Sequence, residues 1–241
     1  MAPEVSQEKG IGGQAEEHSH DYVAALKYPW LNSLYDPLVG LLMREREFRT
    51  RLVEQLQVGS GHRVLDVGCG TATLTLLIKE FHRDAEVIGI DGDPGILAIA
   101  RKKAARAGLD ATFAHGMAFA LPYADESFDR VVSSLVLHHL SRENKQRALR
   151  EAWRVLRLGG QLHIADWGPP STGVMRLLAR LVRKLDGTDR VQDNLDGLLP
   201  VFMCEAGLAD VRENSRMATA FGTLSFYSAS KPRATGLREG V

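Results

Sequence analysis

Residues 64–72, Val64-Leu65-Asp66-Val67-Gly68-Cys69-Gly70-Thr71-Ala72, decide the fold of this 241-residue chain. An apolar run of strand type leads into a Gly-x-Gly turn, and apolar side chains then recur at helical spacing over residues 73–81. Because Gly68 and Gly70 carry no side chain, the backbone of this turn can approach a ligand closely. The N-terminus of the following helix offers unpaired N–H groups. The stretch therefore predicts a strand, a ligand-binding turn and a helix, in that order.

Two acids make this unit more specific than a bare Gly-x-Gly, which occurs in several kinds of nucleotide-binding fold. Asp66 lies inside the first strand, two residues before Gly68, where dinucleotide-binding strands are usually apolar. Asp91 ends the second strand, VIGID at 87–91, where a carboxylate can accept hydrogen bonds from both ribose hydroxyls. The alternative is that both carboxylates only cap helix N-termini.

Outward from this unit, short apolar runs alternate with amphipathic segments. The sequence predicts strands at 63–67, 87–91, 111–115, 128–137 and 161–167, and helices at 73–81, 94–107 and 141–156, with a Gly-Gly turn at 157–160. Such alternation indicates a parallel sheet with right-handed crossovers. The last third predicts a helix at 200–206 and strands at 209–213 and 223–229, with Gly222 favouring a tight connection between them.

Four segments flank or interrupt the predicted domain at 58–230. Residues 1–20 are polar without any period and are expected to form a disordered arm, and residues 231–241 a loose tail. Residues 21–57 show helical spacing, and we expect a helical lid there or, alternatively, helices that only cover a sheet edge. A helical insertion at about 169–199 is expected to cover the mouth of the site.

Composition narrows the class of protein. Apolar residues make up 44% and charged residues 25%, as in soluble globular chains. Thirty Lys and Arg balance thirty Asp and Glu, so there is no general electrostatic reason to expect a nucleic-acid partner. Cys69 and Cys204 cannot build a disulfide framework. With no apolar leader and no apolar run of about 18 residues, we expect a cytoplasmic protein without stable membrane anchoring.

The motifs together resemble those of the class I S-adenosylmethionine-dependent methyltransferases, over roughly residues 61–167. VLDVGCGTA is similar to the first motif and GIDGDP to the end of the second strand. HGMAFALPYADESFD is similar to the segment around the third strand, FDRVVSSLVLHHL to the fourth strand, and LRLGGQLHIAD to the turn into the fifth. The chain looks most like the branch that contains the ubiquinone/menaquinone biosynthesis methyltransferases.

The resemblance implies a doubly wound, Rossmann-like α/β sheet of seven strands in the order 3-2-1-4-5-7-6, with one antiparallel strand and helices on both faces. It implies S-adenosyl-L-methionine as cofactor and S-adenosyl-L-homocysteine as product. The methyl group would pass by in-line displacement to a small, partly apolar acceptor. No bound metal is expected, and the chain would be a monomer or a homodimer.

Carried over by position, the resemblance assigns cofactor contacts to ten residues. From the methionine end through the ribose and adenine to the sulfonium, these are Asp66, Gly68, Cys69, Gly70, Asp91, Gly92, Met117, Ala118, Ser134 and Leu135. Met117 departs from the family, which frequently has Asp at this position to accept from the adenine amino group. A Met side chain does not make that bond, so adenine recognition would rest on backbone groups and apolar stacking.

His138 and His139 follow the fourth strand, at the carboxyl edge where open α/β sheets bind ligands. One of them is expected to act as general base toward the acceptor, or else the pair forms a polar wall of the substrate pocket. The alternative is that one packs against the next helix while the other caps it or faces solvent. Asp166 and Trp167 end the fifth strand at the same edge and are candidates for substrate binding, or else for helix capping and core filling.

Two other functions stay open at this point. One is a non-catalytic cofactor-binding or scaffold protein with a methyltransferase fold, which Met117 favours. The other is a nicotinamide-dependent oxidoreductase. It predicts a third glycine in the first turn, where this chain has Ala72, and a second nucleotide-binding half, which is not visible.

Overall fold

Strands and helices alternate along the chain through the first five strands, except that a loop without a helix joins the third strand to the fourth. The computed structural model describes residues 44–171, 173 and 189–233. The elements are α1 (Glu45–Leu56), β1 (Arg63–Val67), α2 (Thr73–Phe81), β2 (Glu86–Asp91), α3 (Pro94–Ala107), β3 (Thr112–His115), β4 (Phe128–Ser134), α4 (Arg142–Val155), β5 (Leu156–Trp167), α5 (Gln192–Leu195), α6 (Leu199–Glu205), β6 (Ala209–Ala218) and β7 (Thr223–Ser230), with 3-10 turns at Leu137–His139 and Asp189–Val191.

The seven strands form one sheet in the order β3-β2-β1-β4-β5-β7-β6. Neighbouring strands from β3 to β5 pair in parallel, whereas β7 runs antiparallel to both β5 and β6. This confirms the predicted seven-stranded Rossmann-like sheet with one antiparallel strand. The chain switches direction across the sheet between β1 and β4, and ligands of open α/β sheets bind in the crevice at such a point.

Helices cover both faces of the sheet because the central strands are apolar on both sides. In β1, Leu65 packs into the cluster on the α4 and α6 face, and Val64 into the cluster on the face that α1 and α2 cover. Phe48 and Leu52 of α1 are fully buried in that second cluster. The described part of the predicted lid at 21–57 therefore packs on the sheet, and its role as a lid stays a prediction.

Side-chain caps fix the helices that begin at the carboxyl edge of the sheet. Asp93 Oδ1 accepts from the backbone N–H groups of Gly95 and Ile96 at 2.7 and 3.2 Å, and Pro94 occupies the first turn of α3. Ser141 Oγ accepts from the N–H of Asn144 at 3.3 Å at the start of α4. Caps of this kind typically contribute about 1 kcal/mol each.

The structure corrects several predicted boundaries, and the strand predicted at 209–213 extends to Ala218. The strand predicted at 128–137 ends at Ser134, because Leu135 adopts a left-handed backbone with φ 57° and a 3-10 turn follows. The turn predicted at 157–160 lies inside β5. There Phe128 pairs with Leu156 and Arg130 with Gln161, so the extra residues form a bulge next to the left-handed Gly159.

Several predicted segments fall outside the described residues. These are the arm at 1–20, residues 21–43 of the lid, most of the insertion (172 and 174–188) and residues 234–241 of the tail. Within the described part of the chain, no helix is long and apolar enough to cross a membrane.

Candidate active site

A pocket of about 210 Å³ opens at the carboxyl edge of β1 to β4, where the strand order reverses. Its lining residues are Gly68, Gly70, Asp91, Gly92, Ile96, Gly116, Met117, Ala118, Phe119, Leu135, Val136, His139 and Leu140. Seven of the ten predicted cofactor residues and one of the two predicted histidines are among them. Four predicted residues do not line the pocket: Asp66, Cys69, Ser134 and His138. Each lies within two residues of a lining residue in the sequence.

The glycine turn between β1 and α2 forms one wall. Gly68 has φ +72°, and a Cβ on it would overlap the Cγ2 methyl of Val136 in the turn after β4. The N–H of Gly68 donates to the carbonyl of Ile90 at 2.8 Å. Gly70 has φ +54°, and a Cβ on it would meet no atom within 4 Å. Gly68 is therefore required by close packing, and Gly70 faces open space that a ligand can fill.

Asp91 lies in the middle of the pocket wall. Its Oδ2 accepts from the N–H of Gly70 at 2.9 Å, and its Oδ1 accepts from the N–H of Asp93 at 3.0 Å. Each carboxylate oxygen can accept a further bond, so both remain available to ribose hydroxyls. The position fits the predicted ribose contact, which stays a prediction.

Asp66 has a buried carboxyl group, and only one of its two oxygens accepts a hydrogen bond from a described residue. Its Oδ2 accepts from Thr75 Oγ1 at 2.6 Å, while Oδ1 is buried and has no hydrogen-bond partner among the residues that the structure describes. Burial raises the pKa of Asp66 to about 6, although the Thr75 bond and the Arg49 charge oppose the rise. An unpaired buried acceptor is unfavourable until a donor meets it. The amino group of the methionine end of S-adenosylmethionine is such a donor, so these residues fit the cofactor.

The Cys69 side chain is packed rather than reactive. Burial raises the pKa of its thiol far above the usual range, and the charges of Asp66 and Asp91 raise it further. A Cβ on Gly89 would lie 2.8 Å from Cys69 Sγ, so the thiol fills the space that this glycine leaves. Any contact of Cys69 with a cofactor would therefore come from its backbone.

The histidine pair divides into two different environments. His138 Nδ1 is 2.7 Å from Oδ1 of Asp166, which is fully buried. Asp166 also accepts from the N–H of Trp167 at 2.7 Å through Oδ1 and from the N–H of Leu137 at 2.8 Å through Oδ2. Burial raises the pKa of Asp166, but the His138 charge and these bonds outweigh it and leave the pKa below its usual value.

It follows that Asp166 is an ionised acceptor, so the Nδ1 of His138 carries the donated proton. Its Nε2 makes no hydrogen bond to any residue that the structure describes, and this nitrogen is free to accept. Sequence reasoning placed Asp166 at the right edge but did not connect it to His138, 28 residues earlier. The 3-10 turn at Leu137–His139 places His138, and not His139, next to the Asp166 carboxylate.

His139 is exposed at the mouth of the pocket, with its ring 3.9 Å from that of His138. Partial desolvation of the ring and the neighbouring His138 lower the pKa of His139, and Asp166 opposes this. His139 is thus neutral at physiological pH, and no carboxylate in the described ranges fixes its tautomer.

Sequence reasoning missed five lining residues: Ile96, Gly116, Phe119, Val136 and Leu140. Val136 and Leu140 flank the predicted histidines, and their position after β4 was a usable signal. Ile96 lies in the first turn of α3. Its place in the pocket depends on where that helix begins, which the Asp93 cap fixes. Among the described residues, no group of three or more His, Cys, Asp or Glu side chains is arranged to hold a metal ion.

Comparison with known proteins agrees with this site. The sequence profile of a family described as a methyltransferase domain matches residues 64–160. A demethylmenaquinone methyltransferase of Thermus thermophilus is 37% identical over 149 residues, which cover 61% of this chain and 67% of that protein. The ubiquinone/menaquinone biosynthesis C-methyltransferase UbiE of Xanthomonas campestris is 38% identical over 136 residues, covering 52% of this chain and 53% of that one.

Solved structures share the fold. The YcgJ protein of Bacillus subtilis superposes with a TM-score of 0.63 at 18% identity, covering 78% of this chain and 99% of that one. Haemonchus contortus phosphoethanolamine N-methyltransferase 2, in complex with phosphomonomethylethanolamine and S-adenosylhomocysteine, superposes with a TM-score of 0.63 at 17% identity, covering 78% and 53%. At these identities the likeness shows the fold alone.

The fold, the glycine turn and these matches define a Rossmann-like methyltransferase. The chain belongs to the class I S-adenosylmethionine-dependent methyltransferases, near the ubiquinone/menaquinone type. It is thus an enzyme that uses S-adenosylmethionine to methylate a small molecule. The family assignment decides against the nicotinamide-dependent oxidoreductase and against the non-catalytic scaffold.

Proposed function

We propose that this methyltransferase acts on a small, partly apolar acceptor with an ionisable O–H group, and that His138 is its general base. The observation that carries the proposal is the 2.7 Å contact between His138 Nδ1 and the buried Asp166, beside the pocket. A histidine held in one tautomer by a carboxylate is a recurrent way to activate a hydroxyl group.

The residues that would hold the cofactor follow the order of the strands. Asp66 and the Gly68–Gly70 turn would receive the methionine end, Asp91 the ribose, and Met117 with Ala118 the adenine. When bound, S-adenosylmethionine would supply an electrophilic methyl group, which would bond to the acceptor's electron pair as its bond to sulfur breaks, leaving S-adenosylhomocysteine. The protein then mainly aligns the acceptor and excludes water.

His138 would act on the acceptor and not on the cofactor. The O–H bond of the acceptor breaks, its proton moves to Nε2 of His138, and the electron pair stays on the acceptor, as oxygen or delocalised to a ring carbon. Asp166 stabilises the imidazolium that forms, since its carboxylate remains ionised next to Nδ1. Leu135, Val136 and Leu140 line the same side of the pocket and would contact the apolar part of the acceptor.

The names of two relatives support a quinol-like acceptor: one acts on demethylmenaquinone, and the other in ubiquinone/menaquinone biosynthesis. A demethylated naphthoquinol, a simple phenol and a primary amine form a suitable panel, with S-adenosylhomocysteine formation as the readout. The proposal expects turnover with the hydroxylated compounds. Methylation of the amine alone would contradict it.

The base is tested with three single variants at saturating acceptor. His138→Gln and Asp166→Asn are each expected to lower kcat by about 10²–10⁴-fold, because each removes a positioned proton acceptor or its orienting partner. S-adenosylhomocysteine affinity should stay unchanged in both. His139→Gln is the matched control and should lose less than about tenfold. A His138→Gln enzyme with full kcat would overturn the role of His138.

We also propose that the enzyme works in the cytoplasm as a monomer or homodimer, without nucleic acid and without stable membrane anchoring. The balanced charge of the chain and its two unpaired cysteines support this. Light scattering coupled to size exclusion tests the oligomeric state, and a fluorescence titration with duplex DNA and RNA tests the expected lack of affinity for nucleic acid.

A further inference from the structure

The part of the pocket beyond Asp91 is apolar. Ile96, Met117, Ala118 and Phe119 line it. Of the thirteen described residues that line the pocket, Asp91 and His139 alone have polar side chains. No side chain in the far part can therefore accept or donate a strong hydrogen bond.

The strand order decides which part of a bound nucleoside meets this wall. The turn after β1 would take the methionine end, and the turn after β4 carries the histidines. Asp91 ends β2, which lies between β1 and β3, and Met117 follows β3. A ligand whose ribose lies on Asp91 and whose sulfur lies toward β4 must place its base on the β3 side, against Met117 and Phe119.

One backbone acceptor at this wall already has a partner. The carbonyl of Met117 accepts from the N–H of Ala120 at 3.0 Å, and the two residues form an isolated antiparallel bridge. The 6-amino group of adenine would thus lie against carbon and sulfur atoms. A binding site rejects an altered ligand strongly only when the alteration leaves a buried polar group of the protein unpaired. No described side chain at this wall is such a group.

The wall can also yield to a larger base. Met has three rotatable bonds and adapts its shape to its neighbours. Phe119 separates the pocket from an outer groove that Arg147, Arg150 and Trp153 line, since Phe119 borders both. Among the described residues, the Phe119 ring is the side chain that the two spaces share, and the Arg147 guanidinium stacks over it at 5.1 Å.

We infer that the adenine end of this pocket does not read the 6-amino group, so that the enzyme takes adenosyl cofactors that carry alkyl groups on N6. The inference rests on the proposed placement of the cofactor and names the class of cofactor that the same site admits. Selectivity would come from the ribose and methionine contacts instead.

The test is calorimetric titration of the folded protein with S-adenosylhomocysteine and with its N6,N6-dimethyl analogue, which has no N–H on the base. The two dissociation constants are expected to agree within about threefold, or to favour the dimethyl compound. Met117→Asp introduces a carboxylate that only an N–H can satisfy, and it should favour S-adenosylhomocysteine by about tenfold or more. Met117→Leu is the matched control and should keep the ratio of the parent enzyme.

The outcomes separate the two proposals. A parent enzyme that binds S-adenosylhomocysteine but binds the dimethyl analogue tenfold more weakly overturns the inference and leaves the proposed function intact. A folded enzyme that binds neither compound overturns the cofactor placement and the inference together. Discrimination that is the same in Met117→Asp as in the parent shows that Met117 does not contact the base, and this also overturns the inference.

Discussion

At the scale of single residues, ionisation of the buried Asp66 carboxyl group destabilises the folded, ligand-free enzyme. Its pKa is raised to about 6 by burial, above the value of 3.8 for the free side chain. The folded state therefore holds this proton more tightly than the unfolded chain does. The contribution of Asp66 to stability is complete below about pH 4 and is lost as the pH rises through 6.

Asp66→Asn removes this dependence and keeps an oxygen for the Thr75 hydroxyl. The free energy of unfolding of the variant, relative to the parent, is expected to rise by up to about 3 kcal/mol between pH 4 and pH 7.5. Urea unfolding at both pH values measures it. Asp84→Asn is the control, because a hydrogen bond from Ser60 lowers the pKa of the exposed Asp84, so this group titrates below the window and the difference should change little between the two pH values. A difference that does not change with pH would contradict the assignment.

Asp91 is expected to matter for binding. Asp91→Asn keeps its size and one acceptor, but it loses the charge-assisted bonds to the ribose, which are typically worth about 1.5–3 kcal/mol each before water compensates. Affinity for S-adenosylhomocysteine should fall by at least tenfold in a calorimetric titration. Asp93→Asn, which alters only the cap of α3, is the neighbouring control and should bind normally. Unchanged affinity in Asp91→Asn would remove Asp91 from the ribose site.

At the scale of elements, the turn between β1 and α2 contains two glycines with different duties. Gly68→Ala is expected to lower the free energy of unfolding by about 2–5 kcal/mol, because it adds a clash with Val136 to a strained φ. Gly70→Ala meets open space and carries only the cost of its left-handed backbone, about 1–2 kcal/mol.

The two variants should differ in what they damage. Gly70→Ala is expected to weaken cofactor binding more than its small loss of stability suggests, since its methyl group points into the pocket. Val136→Ala in the Gly68→Ala background should restore part of the lost stability. Thermal unfolding with and without S-adenosylhomocysteine measures both effects, and equal loss of stability in the two single variants would contradict this account.

The elements also show how far the sequence predicts the structure. The positions of strands and helices follow from the spacing of apolar residues. The glycine turn with Asp66 and Asp91 is recognisable in the sequence because binding an adenosyl cofactor needs a close backbone approach followed by a carboxylate at the end of the next strand. The end of β4 was not predicted, because nothing in the sequence marks Leu135 for a left-handed backbone. The bond between His138 and Asp166 depends on that end, so it was out of reach as well.

At the scale of the whole molecule, a buried charge cluster ties the segment after the insertion to the rest of the domain. Lys145 on α4 is fully buried and donates to Asp193 Oδ2 on α5 at 3.2 Å and to the carbonyl of Arg190. Arg142 donates to Oδ1 of the same carboxylate at 3.0 Å. Burial lowers the pKa of Lys145, and the Asp193 charge opposes this.

Asp193→Asn would leave the Lys145 charge buried without its partner, so we expect a loss of about 3–5 kcal/mol in the free energy of unfolding. Lys145→Met in the same background removes the unpaired charge and should recover most of the loss. Urea unfolding of the two single variants and the double variant forms a complete cycle. Additive effects in that cycle would contradict a direct pairing.

The contact between Gly68 and Val136 also limits how this sequence can drift. The two positions lie in separate motifs, one proposed to hold the cofactor and one proposed to contact the acceptor, yet a side chain at the first would clash while Val136 keeps its size. A lineage that gains a larger residue at one position must first lose bulk at the other. Homologues are therefore expected to covary at these two positions. A substitution at Val136 that accompanies a new acceptor would then be matched by a substitution at Gly68, in the motif proposed to bind the cofactor.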